Sequence, residues 1–315
     1  LYNSADASLL LFEQVEKYIK YTNDDKFIKQ EIYPKLENII ENYSKGIDLD
    51  DNNIYLDTDG LIVSGTEYTQ NTWMDAKYAG IAVTPRNGKA VEINAMWYNA
   101  LKIMQKLAVK YNEKSKAKRY EKLATKCQKS FEEKFYNKKR KCLFDVIGDS
   151  KIRPNQLFAL SLTYPVLNTN SKEAKDVFET VTKKLLNSYG LKTLAKGEKN
   201  YVDIYEGDSF KRDMSYHQGI TWTWLLGLYF DSLKNMIKVE KRKTYKLQLE
   251  NKLERFIEKT AKTFEKEIDE RGCIGSISEI YDSVKPFSPK GATAQAWSVA
   301  EILRILFEGT KKVKK

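Results

Sequence analysis

Two carboxylates in the 315-residue sequence lie in stretches that suit proton-transfer chemistry. Asp75 lies two positions after Trp73 in "NTWMDAK" (71–77), and Glu279 follows two glycines in "GCIGSISEIYD" (272–282). A carboxylate beside an aromatic ring or in a well-formed loop can act as a general acid or a general base. The chain holds 43 Asp and Glu residues, so the alternative is that either one is an ordinary surface acid. These stretches alone leave both interpretations open.

The tryptophans occur in three places, each beside a stretch dense in Gly, Asn, Gln or carboxylate. For any single ring, core packing is the simpler interpretation, because indole is large and apolar. Taken together, rings interleaved with planar polar groups are typical of a carbohydrate pocket, where rings stack on sugar C–H faces and polar groups bond the hydroxyls. The positions are Trp73 and Trp97, Trp222 and Trp224, and Trp297.

Three further polar positions have both a structural and a functional interpretation. His217 precedes the apolar stretch "GITWTWLLGLYF" (219–230) and could be satisfied by a neighbouring carbonyl at the start of a buried helix. The stretch "RPNQ" (153–156) could simply begin a helix, with proline in the first turn. Asp6 could be a first-turn acid favoured by the helix dipole.

The composition argues against several classes of site. A single histidine makes a histidine-based zinc site improbable and allows only one candidate for a Ser-His-Asp triad. Three cysteines at uneven spacings predict no disulfide framework and a reducing cytoplasm. The stretch "DLDDNNIYLDTD" (48–59) lacks the glycine and the final glutamate of a calcium loop, which favours a polar turn. We therefore expect no metal and no other cofactor.

The net charge of +11 is local and does not indicate a nucleic-acid partner. Residues 102–141 hold fifteen Lys or Arg and four Asp or Glu, and this balance of +11 equals the net charge of the whole chain. A solvated lysine-rich helix face explains it, and no nucleic-acid motif accompanies it. No apolar run approaches the roughly 18 residues of a membrane span, so we expect no membrane partner.

The hydrophobic periodicity is helical along most of the chain. Leu9, Phe12, Val15 and Ile19 recur at helical spacing, and further helical patterns are separated by long Gly- and aromatic-bearing loops. Short strand signals lie inside these loops, including "NIYLDTDGLIVSG" with its Asp-Gly turn. We count eight or nine helices and predict a single all-α domain over 1–315, built as a toroid of paired helices. A helical solenoid is the rival, although no repeat is visible.

Six motifs occur in an order that resembles one family. They are "DASLLLF" (6–12), "TWMDAK" (72–77), "TPRNGKAVEINAMWYNAL" (84–101), "RPNQLFALSL" (153–162), "YHQGITWTWLLG" (216–227) and "GSISEIYD" with "AQAWSVAEILR" (275–304). Together they resemble the C-terminal amylo-α-1,6-glucosidase domain of bacterial and archaeal glycogen debranching enzymes. The resemblance runs from residue 6 to about residue 307.

The resemblance implies an (α/α)6 barrel with short β-hairpins in its loops. Such a barrel needs twelve helices, and the family's domain begins several helices before the "DAS" motif, so we expect a fragment of a longer chain with an incomplete barrel. The implied partner is a branched α-glucan such as glycogen or limit dextrin. The motif departs from the family at Leu10, where an aromatic residue is more usual.

The resemblance also implies the chemistry, which is inverting hydrolysis of the single α-1,6-linked glucose at a trimmed branch. The family's general acid maps onto Asp75 and its general base onto Glu279, sixteen positions before Gln295. In an inverting enzyme the two carboxyl groups stand roughly 6.5–9.5 Å apart, which leaves room for the attacking water. Asp75 must hold a proton near neutral pH, and burial beside Trp73 and Met74 would help it do so.

The resemblance places further residues in the sugar pocket, by their position within the motifs. They are Asp6, Trp73, Arg86, Glu92, Trp97, Arg153, Gln156, His217, Trp222 and Gln295. Three alternatives remain: another inverting α-glucosidase of glucoamylase-like or trehalase-like type, a glycan-binding barrel fragment without turnover, and a helical scaffold.

Overall fold

The computed structural model describes residues 4–46 and 52–313, and these are mostly helical with small antiparallel sheets. The chain forms two compact units. Unit 1 comprises residues 1–150 and 162–168, and unit 2 comprises residues 151–161 and 169–315. Within the described ranges, no helix is both long and apolar enough to cross a membrane. The single-domain arrangement and the incomplete (α/α)6 barrel stay predictions, whereas the mostly helical fold is confirmed.

Unit 1 is built around α4 (Val91–Lys110), which is buried on nearly all sides in its first three turns. On α5 (Lys114–Phe135) the buried residues recur at helical spacing and the lysines lie mostly on the exposed side. The predicted solvated face therefore belongs to this helix. The other helical segments of unit 1 are α1 (Ala7–Thr22), α2 (Asp25–Phe27), a π-helical turn (Ile28–Ile32) and α3 (Tyr33–Lys45).

Three short hairpins join the helices of unit 1. The predicted Asp-Gly hairpin is confirmed, because β1 (Tyr55–Leu56) pairs antiparallel with β2 (Ile62–Val63). Its turn is fixed by Asp59, whose Oδ1 accepts the backbone N–H of Leu61 at 3.0 Å, and by Gly60 at φ 86°. The other pairs are β3 (Lys77–Tyr78) with β4 (Ile81–Ala82) and β5 (Tyr136–Asn137) with β6 (Cys142–Leu143).

Unit 2 combines helices with one four-stranded antiparallel sheet, in the order β10-β9-β8-β7. The strands are β7 (Leu191–Lys192), β8 (Thr221–Trp222), β9 (Ile280–Tyr281) and β10 (Pro289–Lys290). The central helix α9 (Leu225–Val239) is largely buried and contacts α6, α10 and α11. The helical segments are a 3₁₀ turn (Pro154–Leu157), α6 (Phe158–Ser161), α7 (Lys172–Lys184), α8 (Ser209–Ser215), α9, α10 (Lys243–Glu270) and α11 (Ala296–Val313).

Two helix predictions in unit 2 were wrong at their boundaries. The apolar stretch 219–230 begins as strand β8, and its helix starts only at Leu225. A short apolar run does not distinguish a buried strand from a buried helix, and here the pairing of β8 with β7 and β9 decides. The helix that "RPNQ" (153–156) was predicted to begin is limited to the 3₁₀ turn and α6.

Candidate active site

Glu279 lies directly before strand β9, and three donors hold its carboxylate. The Tyr216 hydroxyl donates to Oε1 at 2.6 Å, and Nε2 of Gln295 donates to the same oxygen at 3.1 Å. The backbone N–H of Ala292 donates to Oε2 at 2.9 Å. These three donors fix the orientation of the Glu279 carboxylate, as the role of a general base requires.

The β9–β10 hairpin brings Ala292 to Glu279. The backbone N–H of Glu279 donates to the carbonyl of Ala292 at 2.9 Å, so main chain and side chain both connect the two residues. Gly291 makes the approach possible, since a Cβ there would lie 2.3 Å from Oε2 of Glu279. Its φ of +70° is also in the left-handed region that favours glycine. The absence of a side chain at position 291 therefore leaves room for the Glu279 carboxylate.

Aromatic rings of unit 2 pack beside Tyr216. Trp222 is 2% exposed, its ring stacks on His217 at 5.1 Å, and its N–H donates to the Tyr216 carbonyl at 3.1 Å. The Trp297 ring is 37% exposed and stacks on Trp224 at 5.1 Å. Trp222 and His217 are thus buried among other protein groups, which does not favour their predicted direct contact with sugar. The more accessible ring is that of Trp297.

Arg153 and Gln156 are also buried and engaged with the protein. The Arg153 guanidinium donates to the carbonyls of Thr193 and His217, at 3.0 and 2.6 Å, and to Oε1 of Gln218 at 2.8 Å. Nε2 of Gln156 donates to the Arg153 carbonyl at 2.8 Å. Arg153 therefore fixes the segment before β8, and this engagement does not favour the predicted sugar contact.

In unit 1, Asp75 is exposed, between the buried Met74 and Ala76 and just before hairpin β3–β4. The backbone N–H of Val83 donates to the carbonyl of Ala76 at 3.0 Å and ties the stretch to that hairpin. Trp73 is half-buried. The buried residues on either side anchor Asp75 in the chain. The Asp75 side chain itself lacks the burial that was expected for a protonated acid.

Asp6 lies next to the same stretch. It is 8% exposed, and it accepts hydrogen bonds from the Ser4 hydroxyl at 2.7 Å and from the backbone N–H of Trp73. The backbone N–H of Ala5 donates to the carbonyl of Asn71 at 2.7 Å. Burial raises the pKa of the Asp6 carboxyl, and the hydrogen bonds oppose this rise. The structure thus brings Asp6 to the "TWMD" motif, as its predicted role requires.

Arg86, Glu92 and Asp145 form a buried ionic cluster in unit 1. Arg86 contacts both carboxylate oxygens of Glu92, and its Nε donates to Oδ2 of Asp145 at 2.6 Å. Burial alone would lower the pKa of the guanidinium, but the two carboxylates raise it above its usual range. Burial raises the pKa of Glu92 against the opposing effect of Arg86. Arg86 and Glu92 neutralise each other inside the protein, which does not favour direct contact with sugar.

Trp97 belongs to the core of unit 1. Its ring is fully buried on α4 and stacks on Tyr43 at 6.0 Å with an interplanar angle of 20°. Because no part of the ring is accessible, the structure does not favour the predicted sugar stacking by Trp97. Helical spacing with Ile93, Ala100 and Met104 already indicated a core position.

The sequence analysis missed Tyr216. It stands first in the motif "YHQG", but a tyrosine 63 residues before Glu279 carries no local sign of contact with it. Among the described residues, no group of three or more His, Cys, Asp or Glu could hold a metal ion. A basic surface cleft of about 440 Å³ in unit 2 lies between Tyr189, Phe287 and the exposed face of α10, and no predicted site residue lines it.

A mostly helical chain that presents carboxylates and aromatic rings on loops and short hairpins has the side-chain types that a glycoside hydrolase domain uses. The chain belongs to the amylo-alpha-1,6-glucosidase family, whose family model matches residues 1–304. It is therefore an enzyme of the glycoside hydrolase class. Membership in this family confirms the resemblance drawn from the six motifs.

Known proteins similar to the chain include an enzyme and a solved structure. A glycogen debranching enzyme of Saccharomyces cerevisiae is 26% identical in an alignment of 252 residues that covers 65% of this chain and 16% of the relative's length. A solved structure of a sialidase superposes with a TM-score of 0.60 at 14% identity, covering 89% of this chain and 24% of the other. At that identity the second likeness shows the fold alone.

Proposed function

We propose that this chain hydrolyses the single α-1,6-linked glucose at a trimmed branch of glycogen or limit dextrin, with inversion at the anomeric carbon. The observation that supports this most is the carboxylate of Glu279, which Tyr216, Gln295 and Ala292 hold in a fixed orientation suited to a general base. Family membership and the similarity to a glycogen debranching enzyme support the substrate class.

In the proposed mechanism, Asp75 donates a proton to the glycosidic oxygen and Glu279 removes one from water. Protonation allows the branch oxygen to leave as a hydroxyl while the C1–O bond breaks. The water oxygen bonds to C1 from the opposite face, which gives β-glucose from an α-linkage. Asp75 ends ionised and Glu279 ends protonated, and proton exchange with solvent restores both.

The exposure of Asp75 has a role in this proposal. In the proposed complex, the glucan lies over the exposed Asp75, beside the half-buried Trp73 ring. Asp6 accepts hydrogen bonds from hydroxyls of the terminal glucose. Arg86, Glu92, Arg153 and Gln156 support the loops around the site through their buried contacts.

Glucose release from two substrates tests the proposal. The chain is incubated with phosphorylase limit dextrin and with linear maltooligosaccharides, and released glucose is followed by proton NMR. We expect early β-glucose from the branched substrate alone. Glucose from linear chains alone would support a glucoamylase-like enzyme instead, and early α-glucose would overturn the inverting mechanism. Binding of the glucan without release of glucose would identify a glycan-binding module.

A further inference from the structure

We propose that Tyr216, assisted by Gln295, is a positioning residue that holds the Glu279 carboxylate in the orientation needed for the attack of water. This inference rests on the proposed function, because it assigns a partner to the proposed general base. Tyr216 donates to Oε1 at 2.6 Å, and Gln295 donates to the same oxygen at 3.1 Å. The short contact from the hydroxyl is in the range of charge-assisted O–H···O⁻ bonds.

The Tyr216 ring is fixed before substrate arrives. Tyr216 follows α8 directly, and its backbone N–H donates to the Arg212 carbonyl at 3.0 Å. Its carbonyl accepts the indole N–H of Trp222 at 3.1 Å. The ring packs against those of Trp222 at 4.9 Å, His217 at 4.7 Å and Tyr205 at 5.7 Å. Such a ring keeps its hydroxyl in place without further ordering, as a residue that positions a catalytic group must.

The distribution of donors between the two carboxylate oxygens assigns them different roles. Oε1 accepts two side-chain donors, whereas Oε2 accepts the single backbone N–H of Ala292. Since each carboxylate oxygen accepts about two hydrogen bonds, Oε2 has acceptor capacity for the water proton. We therefore assign Oε2 as the atom that takes the proton, and Oε1 as the atom by which Tyr216 and Gln295 hold the group.

The groups that face Glu279 are mainly neutral. Tyr216 and Tyr205 are titratable groups on the 201–216 side, and Gln295 and Ala292 face it from the segment before α11. None of the ion pairs within the described ranges includes Glu279. Removal of the Tyr216 hydroxyl therefore removes a donor to the charged form, with no fixed cation to replace it.

The test is the pH dependence of kcat/KM for Tyr216→Phe on phosphorylase limit dextrin. We expect kcat to fall about 10-fold and the acidic limb of the profile to move up by about one pH unit, with KM nearly unchanged. Tyr201→Phe is the matched control, because the buried Tyr201 hydroxyl makes no hydrogen bond within the described structure. An acidic limb that coincides with that of the unmodified protein would overturn the positioning role.

Glu279→Gln, measured in parallel, separates this inference from the proposed function. If Glu279→Gln keeps full turnover, the base assignment fails and the inference fails with it. If Glu279→Gln is inactive while Tyr216→Phe has an unmoved acidic limb, only the inference is overturned. Circular dichroism checks that each variant folds. Should Tyr216→Phe not fold, Gln295→Met removes the second donor to Oε1, and its acidic limb must then move upward for the inference to hold.

Discussion

The guanidinium of Arg86 lies 3.4 Å from the hydroxyl of Thr72, three residues before the proposed acid Asp75. Through this contact the buried cluster of Arg86, Glu92 and Asp145 reaches the stretch that carries the acid. All three side chains are almost fully buried, and a buried charge without a partner is strongly destabilising. The cluster can therefore support this stretch only while the guanidinium stays paired with both carboxylates. A substitution that disrupts the cluster is therefore expected to displace the stretch that carries the proposed acid as well.

Arg86→Met should lower the free energy of unfolding by about 3–5 kcal/mol, because it leaves two buried carboxylates without their cation. Urea unfolding followed by circular dichroism measures the change. Arg255→Met on the exposed face of α10 is the matched control and should change stability by less than about 0.5 kcal/mol. Equal stabilities for the two variants would contradict the structural role of the cluster.

Asp75→Asn and Glu279→Gln should each lower kcat on limit dextrin by about 10²–10⁴-fold, because each removes one proton-transfer step. Both residues lie at accessible positions, so the helical circular dichroism signal should stay unchanged. Asp269→Asn and Glu258→Gln, at exposed positions on α10, control for the loss of charge and should keep full turnover. A fully active Asp75→Asn protein would refute the acid assignment.

Local features of the fold were predictable from the sequence, and features that depend on distant partners were not. The Asp59-Gly60 hairpin is encoded by its own turn residues and was found. Strand β8 was assigned to a helix, because its pairing partners in β7 and β9 are far away in the sequence. An apolar stretch indicates that a segment is buried, but it does not indicate whether the segment packs as a strand or as a helix.

The same limit applies to the candidate site. The position of Glu279 in a loop and its motif were visible in the sequence, but the hydroxyl that holds it comes from a tyrosine 63 residues earlier. Arg86 and Glu92 were assigned to sugar contact, whereas the third member of their cluster, Asp145, is 59 residues from Arg86. Side chains suited to bond a sugar are equally suited to bond each other, and only the tertiary structure distinguishes the two.

The buried Asp6 carboxyl predicts a pH dependence of stability. Burial raises its pKa in the folded protein above the ordinary value of 3.8, so folding favours the protonated form. The stabilising contribution is complete below the unfolded pKa and is lost as pH rises through the folded pKa. Asp6→Asn should therefore gain stability relative to the unmodified protein as pH rises from about 3 to about 7.

Urea unfolding at several pH values measures the difference between Asp6→Asn and the unmodified protein. Asp269→Asn, at an exposed position, serves as the control and should show little pH-dependent difference. A difference for Asp6→Asn that stays constant or shrinks with rising pH would contradict the assignment of a raised pKa.

Two tryptophans should separate stability from glucan binding. Trp97→Ala removes a fully buried ring and should lower the free energy of unfolding by about 3–5 kcal/mol. Trp297→Ala removes a ring that is 37% exposed and should raise KM for limit dextrin with a smaller loss of stability. Urea unfolding and initial-rate kinetics measure the two effects. An unchanged KM for Trp297→Ala would argue that this ring does not contact the glucan.

Gly291→Ala should impair turnover by displacing the Glu279 carboxylate, because the added Cβ would lie 2.3 Å from Oε2. Gly275→Ala is the matched control, since Gly275 also has a positive φ of 83° but meets no atom within 4 Å. Both variants carry a similar backbone strain of about 1–2 kcal/mol, so unfolding free energies should fall by comparable amounts. Only Gly291→Ala should lose kcat, by about 10-fold or more, because only there does the carboxylate move from its donors. Equal kcat values for the two variants would show that the close approach of Gly291 is not needed to place the base.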